Sequence, residues 1–182
     1  CPSCGSKTIK EFNFSTKKKD AVTRCPDLKF DCKEILREKL KHFVSKEALN
    51  IDGFGKKIVE KFWELKLVKF PQDIFNLDFE KIKELDGWGD LSVSNLKYAI
   101  EKSKKISLDK FIYSLGIRHI GQENAKLLAQ HLKNFENFYK LLKTDNIENL
   151  SNIDGIGETQ IKSIRVFFSN KINLNILEKL NK

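Results

Sequence analysis

"IDGFGKKI" spans residues 51–58, a close copy, "IDGIGETQI", returns at 153–161, and "LDGWGDLSV" at 85–93 is a third spelling. All three fit hydrophobic-Asp-Gly-hydrophobic-Gly. The first glycines are Gly53, Gly87 and Gly155, at intervals of 34 and 68 residues. The longer interval is twice the shorter, so a fourth unit is expected near residue 121. Gly121 stands there, within "LGIRHIGQENA" (115–125), where Gly116-Ile117 and Ile120-Gly121 read as the same turn opened by an insertion. Tetratricopeptide repeats share the 34-residue period. Their Trp, Leu-Gly, Tyr, Ala and Pro positions are not found here, and their helices do not turn on Gly-x-Gly.

Two glycines so close together let a helix stop, reverse and restart within a few residues, because each can adopt positive φ or admit another backbone. The apolar residue between them (Phe54, Trp88 or Ile156) is expected to tuck back between the helices. The second helix then presents unpaired N–H groups at its positive dipole end, with no Cβ in the way, which suits a phosphate oxygen and reads no base edge. For one such spelling alone, a tight turn in a helical bundle would be the better reading. Repetition on a basic chain favours the phosphate seat. Lys56 and Lys57 follow the first turn, and Arg118 and His119 lie inside the third. Asp90 follows the second and Glu158 the fourth, so some hairpins are expected to be structural only.

Around these turns the pattern is helical. "KEILREKLKHFV" (33–44), "KKIVEKFWEL" (56–65), "VSNLKYAIEKSKK" (93–105), "LDKFIYSL" (108–115), "QENAKLLAQHL" (122–132) and "TQIKSIRVFF" (159–168) place apolar residues three and four apart. Pro71 is expected to start a short helix, and Ser45 and Asn134 or Asn137 to act as caps. His42 and His131 fall within helical patterns and are read as packing or surface residues, and Trp63 as core. Short helices joined by Gly-bearing connections cannot each bury a face alone, so they are expected to stack into one array.

Composition sets the outer bounds. The chain has 182 residues, 40% of them hydrophobic, enough for a real core with a small appendage. Its 34 Lys+Arg against 25 Asp+Glu leave a charge of +9, which favours a polyanionic partner. No apolar run approaches a membrane span and no signal peptide is evident, so a soluble, cytoplasmic protein is expected. The sequence starts at Cys1 and contains no Met, and it is expected to be a piece of a longer chain.

All four cysteines, Cys1, Cys4, Cys25 and Cys32, lie in the first 32 residues. The knuckle "CPSCG" aims two thiolates at one point, and a second pair can complete a tetrahedral Cys4 zinc site with no position open for substrate. The second pair, "CPDLKFDC", encloses six residues, more than zinc knuckles usually span. Two disulfides or an emptied site are the alternatives. "KKK" (17–19), between the pairs, is either a solvated loop or a phosphate contact.

In this order and spacing, "CPSCGSK", "LKHFVSKEALNIDGFGKKIVEKF", "FIYSLGIRHIGQENAKLLA" and "IDGIGETQI" resemble the zinc finger and helix-hairpin-helix region of bacterial NAD-dependent DNA ligases. The resemblance covers essentially the whole chain. It implies a mainly α fold, with a Cys4 zinc finger over 1–33 and four helix-hairpin-helix motifs over 34–182. Cys1, Cys4, Cys25 and Cys32 would hold a structural zinc. DNA would meet the turns at Gly53, Gly55, Lys56 and Lys57; at Gly87 and Gly89; at Gly116, Arg118 and Gly121; and at Gly155 and Gly157. The implied role is a grip on the minor groove of nicked duplex DNA, without sequence specificity, during replication and repair at the nucleoid. Partners would be the nicked duplex and the other ligase domains. The family's chemistry passes adenylate from NAD to a Lys and then to a 5′ phosphate. The Lys-x-Asp-Gly motif it needs is not found in this sequence, and neither are the OB-fold and BRCT domains that flank this region in the family. The chain is expected to bind no NAD and to have no ligase activity alone. The alternative is an interaction module that docks other ligase domains or repair proteins.

Overall fold

Apolar residues at i, i+4, i+7 and i+8 make the face that holds each long helix. In α1 (Lys33–Val44) these are Leu36, Leu40, Phe43 and Val44, all buried. The computed structural model describes residues 1–13, 17–27, 32–141 and 146–181. Among them run α2 (Lys56–Glu64), α3 (Phe79–Lys83), α4 (Asp90–Ser103), α5 (Leu108–Ser114), α6 (Gln122–Leu132), α7 (Phe135–Lys140), α8 (Glu158–Ser169) and α9 (Lys171–Leu180). Two 3-10 turns, Pro71–Asn76 and Asn146–Asn152, join α2 to α3 and lead into α8. No helix among the described residues is long and apolar enough to cross a membrane. Before α1, β1 (Phe12–Asn13) pairs antiparallel with β2 (Lys18–Lys19), and Ile9 bridges Arg24.

The expected caps divide. Pro71 opens its short helix, where its fixed φ is already suitable, and Asn134 caps α7 by accepting from the Asn137 N–H at 2.8 Å. Ser45 instead ends α1, donating its N–H to the His42 carbonyl at 3.1 Å.

The helices bury two cores. One spans Leu40 to Ile100 and includes Phe43, Phe54 and Phe62, with Trp63 and Trp88 packed against it; the other spans Ile112 to Leu177. Hydrophobic burial of each such Phe is worth ~1.5–3 kcal/mol. The first two hairpins share one core and the last two the other, so the array is built from two pairs. A cleft of about 780 Å³ lies between them, lined by Phe43 and Phe75 on one side and Phe111 and Phe135 on the other. The pairs join where His42 Nε2 donates to the Tyr113 carbonyl at 2.8 Å, and where α9 sends Leu177 into the second core and Leu180 against the first. His131 is exposed, as a surface residue should be.

The third turn differs from its reading in sequence. In the other three, the N–H of Phe54, Trp88 or Ile156 donates to the carbonyl three residues back, Ile51, Leu85 or Ile153. Ile120 does the same to Ile117 at 3.1 Å. The turn is therefore Ile117-Arg118-His119-Ile120-Gly121, of ordinary length and with no insertion. His119 takes the left-handed position at φ +60, where Gly53, Gly87 and Gly155 stand at +76, +81 and +88. Gly121 corresponds to the second glycine of the pattern, so the period runs 34, 32 and 36 through Gly55, Gly89, Gly121 and Gly157. Gly116 lies before the turn, at φ +63, in the place that Asn50 (φ +51) holds after α1.

Candidate nucleic-acid interface and metal centre

The two glycines of each turn answer to different constraints. Gly53, Gly87 and Gly155 sit at positive φ, where an L side chain is strained. At Gly155 an added Cβ would also meet Leu127 Cδ1 at 2.8 Å. Gly55, Gly89, Gly121 and Gly157 are N-caps of α2, α4, α6 and α8 in extended backbone, with φ between −72 and −103, which any residue adopts. A Cβ at Gly55, Gly89 or Gly121 would meet nothing within 4 Å. Neither conformation nor internal packing requires glycine at these positions.

Three helices that do not start from one of these turns make the contrast. Asp78, Asn134 and Asn170 cap α3, α7 and α9 with side-chain oxygens that accept the N–H groups of the first turn. Such a cap is worth about 1 kcal/mol. The N-cap glycines supply no side-chain acceptor, and the first N–H groups of a helix have no intrahelical partner. What an exposed glycine provides there is access for an acceptor from outside.

The four turns are not equally open. At the first, Lys56 and Lys57 are exposed and form no ion pair among the described residues, while Asp52 is turned onto the Gly53 N–H at 3.0 Å. At the second, Asp90 holds Lys83 at 2.5 Å, an interaction that raises the lysine pKa, and Leu91 is 75% exposed. At the third, Arg118 pairs with Glu11, and its Nη2 lies 3.9 Å from Asp20; both carboxylates belong to the cysteine-bearing ribbon. At the fourth, Gln160 Oε1 accepts the Gly157 N–H at 3.2 Å, and Glu158 adds a negative charge to the first turn. Gln160 could have been found in the sequence, because Gln three residues after an N-cap is a capping-box signal. Glu11 and Asp20 carry no such signal.

The ribbon brings the cysteines together. The Gly5 N–H closes the knuckle on the Cys1 carbonyl at 2.9 Å, and the paired Ile9 and Arg24 return the chain to Cys25. The long second spacing is closed by Asp27. This buried residue has φ +44, and its Oδ1 accepts the Cys32 N–H at 3.1 Å. Residues 28–31 of that loop lie outside the described residues. All four Sγ atoms fall within 4.8 Å of one another, with Cys1–Cys32 at 3.8 Å and Cys4–Cys25 at 3.5 Å. A disulfide needs about 2.05 Å, so these are free thiols. Sulfurs at the corners of a tetrahedron with metal bonds of about 2.3 Å stand about 3.8 Å apart, so the set fits a four-thiolate metal ion. Hydrogen bonds from the Ser6 side chain and backbone hold Cys4 down at about 7, whereas burial pushes Cys25 up.

Residues 110–177, which contain the third and fourth turns, match the family described as the helix-hairpin-helix motif. The chain is 65% identical over 182 residues to a DNA ligase of Pelagibacter ubique (strain HTCC1062), covering 100% of this chain and 27% of that protein. It is 44% identical over 190 residues to a DNA ligase of Ehrlichia chaffeensis (strain ATCC CRL-10679 / Arkansas), covering 100% and 27%. With a DNA ligase of Wolbachia pipientis subsp. Culex pipiens (strain wPip) the identity is 43% over 185 residues, covering 99% and 27%. The chain thus spans about a quarter of the length of the curated relatives it matches. Repeated helix-hairpin-helix turns, a four-cysteine ribbon and similarity along the whole of this chain match it to a segment of bacterial DNA ligases.

Proposed function

We propose that the chain is the non-catalytic DNA-gripping part of an NAD-dependent DNA ligase, with a zinc finger over 1–33 and a hairpin domain over 34–182. It holds the sugar-phosphate backbone of nicked duplex DNA across the minor groove, without reading sequence, in the cytoplasm at the nucleoid during replication and repair. The observation that carries this reading is the row of exposed N-cap glycines, at positions where neither backbone nor packing asks for glycine. Phosphate oxygens are acceptors that fit open N–H groups at a helix start, and the charge of +9 draws them in. The first hairpin is the leading seat, since Lys56 and Lys57 are unpaired among the described residues. Gly87, Gly89, Gly121, Gly155 and Gly157 belong to weaker or structural seats. Cys1, Cys4, Cys25 and Cys32 hold zinc in a structural role.

Titrating salt against the affinity for a fluorescent nicked duplex tests the grip. Log affinity should fall linearly with log salt, with a slope near −0.9 for each phosphate neutralised, whatever the duplex sequence. The competing reading, a module that docks ligase domains or repair proteins, draws on Leu91 and Tyr98, 75% and 69% exposed at i and i+7 on α4. A flat salt response together with tight binding to such a protein would favour it. The parent's adenylate chemistry needs a nucleophilic lysine in its own motif. Incubation of this chain with NAD and magnesium should therefore leave its intact mass unchanged and nicks unsealed. A mass increase of one adenylate would overturn the assignment.

A further inference from the structure

The second residue of the repeated turn is Asp52, Asp86 and Asp154 in three copies, and Arg118 in the third. The charge is inverted at one place only, and the inverted residue meets the ribbon. Arg118 Nη1 pairs with Glu11, its Nη2 lies 3.9 Å from Asp20, and its Nε donates to His119 Nε2 at 3.1 Å. Glu11 and Asp20 are cross-strand neighbours, since the Asp20 N–H donates to the Glu11 carbonyl at 2.6 Å beside the β1–β2 pairing. Two like charges directly opposite on a ribbon repel. Here Arg118 lies against both, and Arg24 Nη2 is 3.7 Å from the same Asp20 Oδ2. An Asp at 118, as in the other turns, would be a third negative charge at this junction.

We propose that Arg118 is a positioning residue: it clamps the cysteine-bearing ribbon onto the third hairpin through Glu11 and Asp20, and is not itself a phosphate ligand. This rests on the DNA-gripping reading for its consequence but not for its geometry. The clamped ribbon carries Lys18 and Lys19, the two β2 residues that precede Asp20. With its cation engaged, the third turn offers DNA its backbone and not its side-chain charge.

A charge swap in the zinc-loaded chain tests the clamp. Arg118→Glu and Glu11→Arg should each speed amide hydrogen exchange in residues 17–24 about five- to tenfold, from losing exposed ion pairs and adding a repulsion. Arg118→Glu should also weaken nicked-duplex binding about threefold. The double variant keeps the net charge and restores the pair, so it should bring both exchange and affinity back within about twofold of the native chain. Unchanged exchange in the single variants would overturn the clamp. Restored exchange with affinity still lost would make Arg118 a phosphate ligand and overturn the positioning role. Lys56→Glu with Lys57→Glu, run in the same titration, reports on the DNA grip itself. Its failure to weaken binding would sink that reading and leave the exchange result to judge the clamp.

Discussion

Lys56→Glu together with Lys57→Glu should lower affinity for a nicked duplex about tenfold or more at low salt, while folding stability changes by well under ~1 kcal/mol. Both side chains are exposed at the first two positions of α2 and form no ion pair among the described residues, so their loss breaks no internal contact. Carboxylates at a helix start interact favourably with the dipole, by ~0.3–1 kcal/mol each, so stability should if anything rise slightly. A phosphate seated at that same positive end would now meet two negative charges. Fluorescence anisotropy gives the affinity and thermal unfolding the stability. Lys171→Glu with Lys179→Glu on α9 is the control, because it lowers the net charge by the same four units, from +9 to +5. Equal losses from both variants would mean that diffuse charge binds DNA and that the turns are only turns.

Cys32→Ser should reduce bound zinc from one per chain to a small fraction of that and release the ribbon, leaving the helical cores folded. Cys32 is fully buried and is also the N-cap of α1. Serine is a strong N-cap, so the helix keeps or gains its start while the ligand is lost. Elemental analysis under reducing conditions reads the metal; far-ultraviolet circular dichroism reads the helices. One zinc per chain in the variant would remove Cys32 from the ligand set. Acid should act like the substitution. Only thiolates bind the metal, so affinity should already decline with falling pH above neutrality, where Cys25, whose thiol burial raises, takes up its proton, and decline further below about 7, where Cys4 is protonated as well. A metal content insensitive to pH between about 8 and 5 would argue against a four-thiolate site.

Local spacing made much of this readable. The expected bounds of α1 and α6, 33–44 and 122–132, are those observed, because their apolar stripes run uninterrupted up to a turn. The residue pattern over α9 does not point to a helix. Ile172, Leu174 and Ile176 alternate as in a strand, yet the helix buries Asn173, Ile176 and Leu177. The buried amide is tolerated because Asn173 Nδ2 donates to the Phe167 carbonyl at 3.0 Å, a partner on α8. His119 hid the third turn for a similar reason, since only the backbone shows it in the left-handed position that glycine fills elsewhere. Hydrogen bonds and apolar contacts made within a few residues are written in the order of the residues themselves. Three of the turns, the approximate place of the fourth, the thiolate set and the basic character therefore follow from the sequence. The division of the turns between two cores does not, and neither does the openness of the first turn, the engagement of Arg118 or the closing of the long cysteine loop by Asp27. Each depends on contacts between segments distant in sequence or on the path of the folded backbone, and residue order carries neither.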